Sequence, residues 1–142
     1  MPVPPAPAAS LRPPSGDDIA AVGQAVLDGL PAAIRDLVRH VPVVVQDWPD
    51  EETLDAVGIE DPLDLTGLYR AVPHGQRFAV GAPSPEPEMI FLFRLPILLE
   101  WCERHCSLEE VVFDVLTHEI GHHFGMSEDE VLRMEGRGPG EG

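Results

Sequence analysis

The chain contains no lysine and no asparagine. Its nine Lys-or-Arg positions are all arginine, set against 25 Asp and Glu, for a formal net charge of −16 with histidine neutral. Such a balance argues against nucleic acid or an anionic membrane as partner, because both select clustered positive charge. The missing lysine and asparagine read as a composition bias rather than as chemistry. Long apolar runs are also missing, so no segment reaches the length of a membrane span. The N-terminal stretch MPVPPAPAASLRPPSG has no apolar stretch of the secretory type, and the expected location is cytoplasmic. Cysteine is scarce. Cys102 and Cys106 stand four apart in WCERHCS, and a disulfide within one helical turn is awkward. No second pair completes a zinc knuckle, so reduced, half-buried thiols are expected.

What remains is ordinary apolar content in 142 residues, enough for one domain with a real core. Residues 1–16 read as a disordered Pro/Ala-rich tail, 17–135 as the domain, and 136–142 as a flexible tail. Asp17 or Asp18 can cap a first helix carrying Ile19, Val22, Val26 and Leu27. Pro31 suits the start of a second helix through about Arg39. VPVVVQDW (41–48) is β-branched and reads as a buried strand. Residues 50–66 are acidic and turn-rich, with room for one short helix. GLYRAV and QRFAVG are weaker strand candidates around the turn at His74-Gly75, PSPEPE reads as a loop, and MIFLFR (89–94) is the second clear strand. Pro96 opens a helix through about His105. Ser107 and Glu110 make a capping-box pattern for the next one.

On that last helix Val111, Val115, His118 and His122 fall on one stripe at spacings of 4, 3 and 4. The two histidines thus continue its core-facing side and can reach one ion, since Zn–N bonds are about 2.0–2.1 Å. Glu119 beside them can hold a water and act as general base. H-E-x-x-H has only three fixed letters, and the competing reading is two semi-buried histidines beside an exposed glutamate. The apolar run before the motif and its extension to H-E-x-x-H-x-x-G-x-x-E favour the metal. Gly125 permits positive φ and a sharp turn. Such a turn can swing Glu128, or its neighbour Asp129, back towards the ion. Ser127 and Glu130 form a second capping-box pattern, placing Glu128 on the first turn of a short helix through about Met134.

The extended motif resembles that of the zincin metallopeptidases. In the metzincin branch a third histidine or aspartate stands where this chain has Glu128. More closely, VPVVVQDWPDEE, LTGLYRAVP, MIFLFRLPI and LTHEIGHHFGMSEDE, in that order, resemble the small bacterial zincin-like metallopeptidase family. Those proteins usually carry aspartate at the Glu128 position. The resemblance implies an α+β minimal zincin-like fold, with a small mixed β-sheet packed against helices that include the H-E-x-x-H helix. It implies one Zn²⁺ per chain and a peptide or protein substrate. It also implies a substrate-pairing edge strand upstream of the active helix, for which MIFLFR is the candidate, with a central buried strand as the equal alternative. His123, turned about 100° from His122, reads as a supporting or packing residue. Tyr69 reads as a core or surface residue ahead of an oxyanion donor, and Met134 as a core residue.

The resulting expectation is a zinc metallopeptidase with His118, His122 and Glu128 as metal ligands and Glu119 as the catalytic base. Two rivals accompany it: a non-catalytic metal- or peptide-binding module on the same fold, and an acidic interaction protein without metal.

Overall fold

A computed structural model describes residues 12–71 and 87–136. The described elements run α1 (Gly16–Asp28), α2 (Ala32–Val38), β1 (Val43–Gln46), α3 (Glu51–Val57), a 3-10 turn (Pro62–Asp64), β2 (Gly67–Ala71), β3 (Glu88–Phe93), α4 (Arg94–Arg104), α5 (Leu108–His123) and α6 (Glu128–Met134). This is the α+β architecture expected from the sequence. QRFAVG and the turn at His74-Gly75 lie outside the described residues.

The sheet has the order β1-β3-β2, with β3 parallel to β1 and antiparallel to β2. Strand periodicity divides β3 between two cores. Ile90 and Leu92 face the main core with Ile19, Leu27, Val111, Val112, Leu116 and Ile120 of α1 and α5. Phe91 and Phe93 face the other side, against Leu54, Leu65 and Leu68. MIFLFR is therefore the central strand and has no free edge. Among the described residues, the edge strand beside α5 is β2. On β2, Gly67 pairs with Leu92, and an ideal Cβ on this glycine would lie 2.6 Å from Val115 Cγ1. A side chain there would push α5 off the sheet.

Local chemistry explains the helix ends. Ser15, not Asp17 or Asp18, caps α1; Asp18 sits three residues on and completes the capping box from its other side. α4 begins at Arg94, two residues before Pro96. Proline is tolerated there because first-turn N–H groups have no partner within the helix. α4 stops where expected, at Arg104, with His105 as its C-cap in the left-handed region at φ 55°. Cys102 and Cys106 therefore do not share a helix, and both are free thiols. Ser107 caps α5 through the Glu110 N–H at 3.1 Å.

Candidate metal centre

α5 supplies the motif. Its N-terminal part is buried at Val111, Val112, Val115 and Leu116. The stripe leaves the core at the first histidine: the His118 side chain is 64 % exposed, and His122 is exposed as well. The expectation that both histidines stay on a core-facing surface is corrected here. Ile120 and Gly121, further along α5, are buried, so it is the face bearing the two histidines that turns outwards.

His118 is nonetheless oriented. Its Nδ1 lies 2.7 Å from the Asp114 carbonyl oxygen one turn back. A carbonyl can only accept, so Nδ1 carries the proton and Nε2 keeps its lone pair for a metal. Behind this contact Thr117 Oγ1 lies 2.6 Å from Glu135 Oε2, and Glu135 Oε2 lies 4.0 Å from His118 Nδ1.

Glu119 is half-buried against β2. The register shows why. Phe93 N donates to Thr66 O, so Thr66, Leu68 and Arg70 turn their backbone groups towards β3. The backbone groups of Gly67 and Tyr69 then face outwards, and the Tyr69 N–H faces the Glu119 carboxylate. Burial pushes the Glu119 carboxyl above its ordinary value, against smaller downward pulls from His122, the Tyr69 N–H and His118. A cavity of about 300 Å³ opens beside His118 and Glu119, lined also by Thr66, Glu100, Arg104 and Asp114. Arg104 is clamped there, NH2 to Asp114 Oδ2 at 2.7 Å and NH1 to Glu100 Oε2 at 3.0 Å, which keeps it firmly protonated. A larger apolar groove of about 480 Å³, lined by Ala21, Val22, Ala25, Val26 and Phe113, holds none of the motif's residues.

His123 packs rather than joining the cavity. Its ring stacks on Tyr69 with centroids 3.8 Å apart, and its Nε2 lies 2.6 Å from Glu88 Oε2. Tyr69 is buried. Burial, with Glu88 beside its hydroxyl, raises its pKa well above the usual tyrosine value. Its ring belongs to the main core and packs against His123 and Phe124. Met134 is buried in the main core.

The chain turns after α5 through two hydrogen bonds: Gly125 N to His122 O at 3.2 Å and Met126 N to Gly121 O at 2.8 Å. Gly125 has φ 63°, the conformation this turn requires. Ser127 and Glu130 then form the expected capping box for α6. Glu128 and Asp129 stand exposed on its first turn. Among the described residues, no three His, Cys, Asp or Glu side chains converge closely enough to hold a metal ion, so Glu128 and Asp129 are not drawn in beside the two histidines.

The profile for the zincin-like metallopeptidases matches residues 38–137, well over half of the chain. The chain belongs to the zincin-like metallopeptidase family. No curated protein sequence matches it. This zincin-like chain also has no helix, among the described residues, long and apolar enough to cross a membrane.

The two histidines are donors of the kind that zinc, the metal such a family implies, would take, with His118 held through its Nδ1 and His122 one turn on; among the described residues no third ligand stands beside them. The sequence pointed to these residues but missed those supporting them. Asp114 acts through its backbone, which no motif can register. Glu135 follows Val131 at helical spacing at the end of α6, and that spacing was the available signal.

Proposed function

We propose that this zincin-like protein is a zinc-dependent peptidase, with His118, His122 and Glu128 holding one Zn²⁺ and Glu119 acting as general base. The observation that carries this reading is the contrast between two adjacent residues of α5. His118 is exposed with its Nδ1 engaged, while Glu119 is half-buried with its carboxyl pushed upwards. A ligand needs a free, aimed lone pair. A base needs a pKa closer to neutrality than an ordinary carboxylate has.

When bound, zinc supplies Lewis acidity and brings the pKa of a water towards about 7. Glu119 takes a proton from the attacking water and delivers it to the leaving amine nitrogen. Burial raises the proton affinity of the carboxylate, which favours the first transfer; the second runs to the more basic leaving amine nitrogen. The Tyr69 N–H keeps that carboxylate turned towards the cavity. The outward backbone groups of β2, not β3, offer the edge along which an extended peptide can pair. The clamped Arg104 forms one wall of the cavity that a substrate side chain would enter.

The test is turnover of a diverse peptide library by fresh zinc-loaded protein beside Glu119→Gln. Cleavage that falls by about 10²–10⁴-fold in the variant, with zinc retained, supports the base. Wild-type turnover in Glu119→Gln refutes it. The alternative, a non-catalytic metal-binding module, is favoured by the exposed, ungathered acids of α6. It predicts bound zinc and no cleavage in either protein.

A further inference from the structure

α6 is docked on α5 by more than its apolar residues. An ideal Cβ on Gly121 would come 2.6 Å from Val131 Cγ2, so the two helices touch backbone to side chain at this point. One turn further along α6 lies Glu135, whose side chain is only 3 % exposed. A carboxylate at that depth is costly unless hydrogen-bonded. Its Oε2 meets the hydroxyl of the fully buried Thr117 at 2.6 Å. Thr117 also approaches the Asp114 carbonyl, but at 3.3 Å. A hydroxyl has one proton to give, and the shorter contact assigns it to Glu135. The Asp114 carbonyl, a helical acceptor within α5, also takes His118 Nδ1 at 2.7 Å on its second lone pair.

The geometry points to Glu135 as a positioning residue for His118. This inference rests on the reading of His118 as a metal ligand. The Thr117 hydroxyl donates to Glu135 Oε2 and so anchors the Glu135 carboxylate behind the imidazole. By lying 4.0 Å from Nδ1 that carboxylate places negative charge on the far side of the ring from Nε2. The charge holds the proton on Nδ1 and strengthens Nε2 as a donor to zinc, the part that outer carboxylates play behind ligating histidines. The same contact ties the end of α6 to the residue preceding His118. The helix that carries Glu128 is thereby fixed relative to the first ligand.

The experiment measures zinc affinity by competition with a chelating dye, and folding of the metal-free chain by circular dichroism. Glu135→Gln keeps an acceptor for Thr117 and removes the charge. It should weaken zinc binding by about 10–100-fold while the metal-free chain stays folded. Thr117→Val should fall in the same range, and Thr117→Ser, which restores the hydroxyl, should recover most of the affinity. Zinc affinity within twofold of wild type in Glu135→Gln overturns the inference. So does a Glu135→Gln chain that no longer folds without metal, since Glu135 would then be structural only. His118→Ala runs in parallel. If that variant binds zinc as wild type does, the site reading itself fails, and this inference with it.

Discussion

Glu119 and Glu128 are the same residue type, nine positions apart, in opposite surroundings. Glu119 is half-buried against the edge of β2, faced by a backbone N–H, with its carboxyl pushed above its ordinary value. Glu128 stands exposed on the first turn of α6, a helix fixed at its start by the capping box of Ser127 and Glu130. The fold alone builds the proposed base. The proposed third ligand has its helix placed, but its carboxylate does not stand beside the two histidines. If Glu128 is a ligand, metal binding would couple to a movement of that side chain.

The sharpest way to break this contrast is to remove each acid of α6. Glu128→Ala should cost most of the zinc affinity, read by dye competition, and Asp129→Ala much less, because its side chain projects about 100° further round the helix. Glu128→Asp should be tolerated. If Asp129→Ala costs more than Glu128→Ala, the two acids exchange roles. If neither matters, the third ligand lies elsewhere.

A smaller effect tests the dock between the two halves. Gly121→Ala drives a methyl group against Val131. It should destabilise the chain by about 1–3 kcal/mol in chemical denaturation, as overpacking does, and weaken zinc binding without removing a ligand. Gly125→Val tests the turn instead. Nothing lies within 4 Å of its ideal Cβ, so its cost, also about 1–3 kcal/mol, is backbone strain alone.

The smallest effects concern pH, and they have opposite signs in the two regions. The hydrogen bonds of the Ser127 cap hold the Glu130 carboxyl below its ordinary value. That contribution is present above the ordinary glutamate range and is lost as pH falls through the lowered value, so acid should loosen α6. Ser127→Ala should cost about 1 kcal/mol at neutral pH. Glu119 runs the other way. Its raised pKa means the folded metal-free chain holds a proton more readily than the unfolded one, so stability declines as pH rises from the ordinary value to the raised one. Glu119→Gln should therefore stabilise the metal-free chain at neutral pH, read as a higher thermal midpoint. A lower midpoint would mean that its burial carries no such penalty.

Much of this was legible in the sequence, for identifiable reasons. The β-branched run within 41–48, the capping box at Ser127 and the turn at Gly125 are local signals, and each produced the expected element, although β1 is shorter than that run and only partly buried. Sheet order is not local. Whether MIFLFR lay at the centre or the edge depended on where β2 paired, and period-2 burial on both faces suits either place. The exposure of His118 and His122 was missed because a helical stripe shows which residues align but not which neighbours cover them. The Asp114 carbonyl and the buried Glu135 required three-dimensional placement.

The most direct measurement is metal content by mass spectrometry, on protein purified without a metal-affinity tag. The account predicts about one zinc per chain in the wild type and in Glu119→Gln, removable by chelator, and none in His118→Ala or His122→Ala. Wild-type protein without zinc, or full zinc retention in both histidine variants, would contradict it.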